Sequence, residues 1–284
     1  MSKKTTYYSK KITLIIGGAS GIGAALGHAL AGYGSIIILA DIQGALAEKV
    51  ADDIRVAGGE AKSVSLDVCN YKEFQQAIDE ILKEYGRLDL LFNNAGIGVG
   101  GYASDHEVED WKKIIDINLL GVVNGVQCGY RVMREQGFGH IINTASMAGL
   151  VPSPAMVAYS ATKSAVVGLS QALRPEAAEF GVSVSVLCPG AIKTPILEGG
   201  GKNGKMVTAI PLEQQLALFE PLGPISSIDF AKKALEQIEK NKEIIVIPSK
   251  LKILWWLERL LPSLPTRIAY KQMKEILEPL GLKR

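Results

Sequence analysis

Ile12-Thr13-Leu14-Ile15-Ile16-Gly17-Gly18-Ala19-Ser20-Gly21-Ile22-Gly23 is the stretch on which the fold turns. Five β-branched or apolar residues run straight into a glycine-rich turn, and a helical pattern follows over 21–33. A short, continuous apolar run of this kind reads as a strand buried on both faces. Glycines at 17, 21 and 23 allow a tight turn and let backbone approach a pyrophosphate closely. The helix that follows supplies N–H donors, from Ser20, Gly21 and Ile22 onward, and the positive end of its dipole. Strand, glycine turn and helix in that order predict a dinucleotide-binding first unit.

Outward from this unit the alternation repeats. Ile36–Ala40, Ala61–Leu66, Leu88–Phe92, His140–Thr144, Val182–Leu187 and Glu243–Ile247 read as further strands. Helical patterns lie between them near 43–57, 71–85, 107–135, 155–180 and 227–241. This predicts one α/β domain over 12–248: a Rossmann-like, doubly wound parallel sheet with helices on both faces and ligands at the carboxyl ends of the strands. Two stretches break the rhythm. Residues 191–226 contain Gly and Pro and read as a substrate lid, and residues 249–284 form a helical tail with no further strand.

Of the 284 residues, 48 % are hydrophobic and 21 % charged, which excludes a disordered or collagen-like chain. Cys69, Cys128 and Cys188 form no disulfide framework and read as buried fillers. Neither they nor His28, His106 and His140 show metal-ligand spacing, so no metal is expected. The first eleven residues lack the apolar core of a signal peptide, and no run approaches the ~20 apolar residues that span a bilayer. A cytoplasmic protein is expected. The formal charge of +2 hides an asymmetry: residues 1–11 form a basic arm of +4 and residues 249–284 a basic tail of +5, leaving −7 on the body. So acidic a body speaks against nucleic-acid binding, which needs a basic face.

Asp41 closes the second strand, 24 residues after Gly17. A carboxylate there can accept hydrogen bonds from ribose hydroxyls, and it repels a 2′-phosphate by about 4 kcal/mol per charge pair at ~4 Å. Neither Ser20 nor Ile42 supplies an offsetting cation, so NAD is favoured over NADP; a helix-capping role is also open to Asp41. Further on, Tyr159-Ser160-Ala161-Thr162-Lys163 sets Tyr159 and Lys163 one helical turn apart on one face. A phenol of pKa ~10 is a poor base at neutral pH, and lowering it by two units takes about 2.7 kcal/mol, within reach of one partly buried ammonium. Ser146 stands thirteen residues earlier, at the end of the His140–Thr144 strand.

Together with Asp67-Val68, Asn93-Asn94-Ala95-Gly96, Asn118, and Pro189-Gly190 followed by Thr194, these motifs fall in register over about 12–248. The sequence resembles the short-chain dehydrogenase/reductase family. That resemblance implies a seven-stranded sheet and hydride transfer between a nicotinamide and an alcohol/carbonyl pair. It makes Tyr159 the general acid/base and Ser146 the group that polarises the substrate oxygen. Lys163 would depress the tyrosine's pKa and hydrogen-bond the nicotinamide ribose, and Asn118 would hold a water in the proton relay behind it. Asp67 and Val68 would border the adenine, and the backbone of Asn94, Ala95 and Gly96 the adenosine side. Pro189, Gly190, Ile192 and Thr194 would hold the nicotinamide. Helices 107–135 and 155–180 pair subunits in relatives, which implies a homodimer or homotetramer. An NADP-dependent carbonyl reductase of the same family and a non-catalytic NAD(H)-binding sensor or scaffold are the competing readings. Two residues depart from the pattern: Ile16 stands where a Thr commonly braces the turn near Asn93–Gly96, and Pro175 lies inside a helix.

Candidate substrate walls at 97–102, 151–156 and after Pro189 are mostly apolar, which points to a lipophilic secondary alcohol or its carbonyl partner. Gly199-Gly200-Gly201-Lys202-Asn203-Gly204 reads as a flexible part of the lid, its Lys202 and neighbouring Lys205 either solvated or facing an acidic substrate group. In the tail, eight of the eleven residues Leu251–Leu261 are apolar, Trp255 and Trp256 among them, and Pro262 and Pro265 are expected to break any helix. Two readings fit the tail. It packs on its own core or a partner subunit and shields the pocket, or it makes peripheral contact with an anionic membrane, aided by the basic N-terminal arm.

Overall fold

The computed structural model describes residues 6–207, 213, 216 and 219–277. The start of the basic arm, most of 208–218 in the expected lid, and the tail beyond 277 lie outside the described residues. Seven strands, β1 (Ile12–Ile16), β2 (Ile36–Asp41), β3 (Glu60–Ser65), β4 (Leu90–Asn93), β5 (Gly139–Thr144), β6 (Val182–Pro189) and β7 (Ile244–Ile247), form one sheet in the order β3-β2-β1-β4-β5-β6-β7. Every pairing is parallel. The order reverses between β1 and β4, where neighbouring connections leave to opposite faces and open a crevice at the carboxyl edge.

The unbroken apolar strands are explained by two cores. Ile12, Leu14 and Ile16 of β1 point into one, with α3 (Tyr71–Tyr85), α5 (Gly121–Gln136) and α6 (Val157–Ala178) packed over it through Phe74, Ile78, Val126 and Val166. Ile15 points into the other, beneath α1 (Gly21–Gly32), α2 (Gly44–Val56) and α7 (Ser227–Ile238) through Leu26, Leu30, Ile54 and Phe230. Alternate residues therefore serve opposite layers, and no polar face survives. Helix ends follow local chemistry. Asn70 caps α3 by accepting from Lys72 N–H and Glu73 N–H, and Gly86 ends it at φ 73°.

Residues 7–11 clasp the amino edge of the sheet. The fully buried Tyr8 ring lies under α7, its hydroxyl donating to the Leu235 carbonyl at 2.6 Å, and Arg87 donates to the Lys10 carbonyl at 2.8 Å. The tail leaves β7 at the opposite, carboxyl edge as α8 (Lys252–Leu260) and α9 (Ser263–Leu277). Residues 7–11 and the α8–α9 segment thus lie at opposite edges of the sheet.

Three local expectations are corrected. The pattern over 107–135 is interrupted: α4 (Val108–Ile115) gives way to a π turn at Asp116–Leu120 before α5 begins. Pro262 does separate α8 from α9, but Pro265 sits in the first turn of α9, where a missing N–H costs nothing. Cys128 and Cys188 are buried, whereas Cys69 is exposed. Pro175 lies near the end of an α6 that remains continuous, far from Tyr159.

The glycine run after 198 is seated rather than loose. Gly98 N–H donates to the Gly200 carbonyl at 2.8 Å, Lys205 N–H donates to the Gly98 carbonyl at 3.0 Å, and Val99–Gly100 pairs with Lys205–Met206. A Cβ on Gly98 would come 2.9 Å from Gly200 Cα, and one on Gly200, at φ 89°, would overlap the Gly98 carbonyl. These glycines serve close backbone approach. Gly200→Ala combines that overlap with a left-handed backbone, and we expect it to lower Tm by about 3–6 °C in calorimetry.

Candidate active site

The glycine turn after β1 builds one half of the site. Gly17 takes φ 75° and Gly21 φ 54°, a region in which side chains are strained. A Cβ on Gly17 would lie 2.7 Å from Ala95 Cα, and one on Gly23 would overlap the Gly17 carbonyl. Ser20 is the N-cap of α1 in extended conformation, its hydroxyl makes no capping bond, and the first turn holds no acid. The leading N–H groups are therefore unspent on side chains and face the crevice, as an anion cradle requires. Thr194 hangs over the turn, its Cγ2 3.1 Å from the Cβ position of Gly21. Asp41 Oδ2 accepts from Ala19 N–H at 3.1 Å and Oδ1 from Gln43 N–H at 2.9 Å, which fixes the carboxylate between the glycine turn and α2. Gln43 is the N-cap of α2, so the capping role does not fall to Asp41.

The expected adenosine side, Asp67 and Val68, is also held by hydrogen bonds. Asp67 Oδ1 accepts from Cys69 N–H at 2.9 Å, Glu73 holds the Asp67 N–H, and Asn124 donates to the Val68 carbonyl at 2.8 Å. The turn that lacks a hydroxyl at Ile16 is braced instead by Asn94. Its N–H donates to the Ile16 carbonyl at 3.2 Å, its Nδ2 to the Gly17 carbonyl at 3.3 Å, and its Oδ1 accepts from Thr144 Oγ1 at 3.2 Å. An open cradle at a helix N-terminus, backed by a fixed carboxylate one strand away, fits a dinucleotide.

The first turn of α6 brings the second half together. Lys163 is 2 % exposed; its Nζ donates to the Thr144 carbonyl at 2.9 Å and lies 5.6 Å from the centre of the Tyr159 ring. A Cβ on Gly96 would stand 3.3 Å from both Lys163 Nζ and Asn118 Oδ1, so the glycine keeps this corner open. Tyr159 is half-buried, and the neighbouring Ser146 hydroxyl acts to lower the pKa of its phenol. Ser146 Oγ accepts from Ala148 N–H at 3.1 Å, which anchors it at the end of β5. Lys163 thus links the other candidates: its Nζ shares the Gly96 corner with Asn118 Oδ1 and lies near the Tyr159 ring, which in turn neighbours Ser146. Pro189 ends β6 next to them, followed by Gly190 and the buried Ile192.

Electrostatics at this corner differ from the expected pattern. Burial pushes the Tyr159 phenol up to about 12, and the Ser146 hydroxyl opposes that rise. Burial also holds the Lys163 ammonium down to about 8. Desolvation, not the lysine, dominates the phenol. Asn118 spends its carboxamide on protein: Oδ1 accepts from Ile97 N–H at 2.8 Å and Nδ2 donates to the Ile97 carbonyl at 2.9 Å. The π turn places it there, one residue out of helical phase. Ile97 and Thr144 are the functional residues that motif reading missed. Both act through backbone atoms, for which side-chain identity carries no signal.

The sequence profile described as short chain dehydrogenase matches residues 11–203. The chain belongs to that family. It is an oxidoreductase acting on alcohol/carbonyl pairs with a nicotinamide dinucleotide. Among curated relatives, the 2,5-dichloro-2,5-cyclohexadiene-1,4-diol dehydrogenase of Sphingobium indicum is 34 % identical over 226 residues, covering 79 % of this chain and 87 % of that one. The trans-4-hydroxycyclohexanecarboxylate dehydrogenase of Sinomonas cyclohexanicum is 35 % identical over 205 residues, covering 70 % of this chain and 79 % of that one. A short-chain dehydrogenase/reductase from Burkholderia phymatum, solved in complex with NAD, superimposes with a TM-score of 0.79 at 31 % identity, covering 89 % of this chain and 94 % of that one.

In this dehydrogenase the tail packs back over the carboxyl edge of the sheet. Leu251 sits against Gly190, where a Cβ would come 2.5 Å from Leu251 Cδ1, and Leu251 and Trp255 pack on the core. From there α9 crosses to the loops after β4 and β5. An apolar cavity of about 400 Å³ lies between them, lined by Tyr102, Ala155, Val157, Thr266, Ala269 and Met273. Lys205 is not available to substrate, because its Nζ bonds both oxygens of Asp110 at 3.0 and 3.2 Å.

Proposed function

We propose that this dehydrogenase uses NAD(H) to interconvert a lipophilic secondary alcohol and its carbonyl partner. The observation that carries this reading is the buried Lys163 ammonium 5.6 Å from the Tyr159 ring, with Ser146 beside that phenol, on the same sheet as the glycine turn and Asp41. When bound, the nicotinamide accepts or supplies the hydride. Ser146 Oγ would hold the substrate oxygen, and Tyr159 would give that oxygen a proton in reduction and take it back in oxidation. At neutral pH a phenol pushed up to about 12 keeps its proton, so the resting site is set to donate. In the oxidative direction the Lys163 ammonium and the positive ring must bring the phenol down. Lys163 is charged at neutral pH, its pKa being about 8. Ring-bearing secondary alcohols are the first substrates to try, because both relatives above are named for six-membered carbocycles. A panel of cyclic and open-chain alcohols and ketones, read at the nicotinamide absorbance with both cofactors, tests the reading; no turnover across it would favour a sensor or scaffold.

The preference for NAD rests on Asp41, whose carboxylate would stand against a 2′-phosphate with no cation among its hydrogen-bond partners. Asp41→Asn removes the charge and keeps an acceptor for the backbone. We expect it to cut the ratio of NADPH to NADH dissociation constants at least tenfold in fluorescence titration, and tighter NADPH binding by the parent protein would overturn the assignment. We further infer a cytoplasmic homodimer or homotetramer built on α4–α5 and α6. Val108, Ile115 and Leu120 along that edge are exposed apolar residues, and sedimentation velocity reads the assembly directly.

A further inference from the structure

We propose that the α8–α9 hairpin docks the dehydrogenase onto an anionic membrane surface. An ordinary surface helix turns one apolar stripe to the core and a polar face to water. Here the face opposite the core is apolar as well. On α8, Trp255 packs inward while Ile253, Trp256 and Leu260 stand 66 %, 54 % and 71 % exposed. At about 100° per residue these three occupy roughly 60° of arc on the outer side. On α9, Pro265 and Ala269 are buried while Leu264 and Ile268 are exposed, as is Leu261 between the two helices. Seven of the eighteen exposed large apolar residues among those described fall within Ile253–Tyr270, and the others are spread over the rest of the chain. This is a patch, not ordinary scatter.

Charge selects its occupant. Lys252 and Arg259 on α8, with Arg267 and Lys274 on α9, are exposed on the same two helices. The guanidinium of Arg259 lies 5.4 Å from the Trp255 ring centre, and the Lys274 ammonium 5.0 Å from that of Tyr270. An apolar ridge, aromatic residues and cations together are the chemistry of a helix lying in the headgroup layer. A second copy of the chain is disfavoured, because a two-fold contact would set one +5 tail against another. Anionic headgroups neutralise the same charge. The contact lies on the surface: among the described residues no helix is long and apolar enough to cross a membrane. Residues 7–11 sit at the opposite edge of the sheet, so the proposal rests on α8 and α9 alone. Because Thr266, Ala269 and Met273 of α9 also wall the apolar cavity, docking sets that cavity one helix away from the lipid boundary, where a substrate of the proposed lipophilic class concentrates.

The full-length protein, mixed with extruded vesicles of phosphatidylcholine alone or with about one third phosphatidylglycerol, tests this by co-sedimentation. It is expected to partition onto the anionic vesicles and to be released as salt rises from about 0.1 to 0.5 M. Trp256→Ser/Leu260→Ser, both at exposed positions, should weaken partitioning at least ~tenfold with Tm unchanged. Lys252→Glu/Arg267→Glu should remove the preference for anionic lipid while leaving the apolar ridge intact. Failure of the parent protein to bind anionic vesicles at low salt overturns the proposal, as does equal binding by the first variant. So does a change of oligomeric state in that variant without vesicle binding, which would make the ridge a contact between copies. Partitioning needs no turnover, so its failure is separable from a failure of hydride transfer.

Discussion

Tyr159→Phe is expected to lower kcat and kcat/KM together by about 10³-fold, with the dissociation constant for the nicotinamide cofactor changed by no more than about twofold. Phenylalanine keeps the ring against Lys163, 5.6 Å from its Nζ, and deletes only the hydroxyl that neighbours Ser146. A group that exchanges its proton only as the carbonyl oxygen gains or loses charge contributes to the transition state and little to ground-state binding. Its loss therefore strikes both constants alike. Steady-state kinetics in both directions, paired with cofactor fluorescence titration, decide the matter. A loss of less than tenfold would remove Tyr159 from the acid/base role, and equal loss of cofactor binding would make it structural.

Lys163→Met should separate activity from stability. Burial holds the ammonium at about 8, against an ordinary lysine near 10.5, so the unfolded chain binds a proton more readily than the folded one between those values. Stability from this group is complete above the unfolded pKa and is lost as pH falls through the folded one. At pH 7 the deficit is about 3 kcal/mol, reduced by the hydrogen bond to the Thr144 carbonyl that methionine cannot make. We expect Lys163→Met to raise Tm at pH 7, or leave it unchanged, while kcat/KM falls by about 10²-fold or more. Raising the pH from 8 to 10 should favour the parent protein relative to the variant in denaturant titrations. A variant markedly less stable at pH 7 would show that Lys163 is held by packing that repays its desolvation.

Much of this was written locally in the chain. The turn at Gly17–Gly23 and the pair Tyr159 and Lys163 are legible because their geometry is set by neighbours a few residues away. The strands are legible because burial on both faces leaves short, continuous runs of apolar and β-branched residues, as in Ile12–Ile16. What escaped reading depends on distant partners. A π turn at Asp116–Leu120 adds one residue to a helix without disturbing its apolar periodicity enough to be noticed, yet it aims Asn118 at Ile97, 21 residues away. Lys205 finds Asp110 across 95 residues, which no local pattern announces. Pro265 reads as a breaker until the start of α9 is known. Glycine is ambiguous by nature: Gly199–Gly201 could mean looseness or close contact, and only the position of Gly98 decides.

That last contact bears on how such an enzyme can change over generations. The seam between Gly98 and Gly200 is backbone against backbone, so a substitution at either glycine breaks it and does not retune it. A lineage under selection for a new substrate cannot work through that junction one residue at a time. Variation is channelled to Tyr102, Val157 and the α9 face at Thr266 and Met273, where side chains of different size can be exchanged without moving the main chain. The tail, added after the sheet is complete, is where this fold can be remodelled most freely.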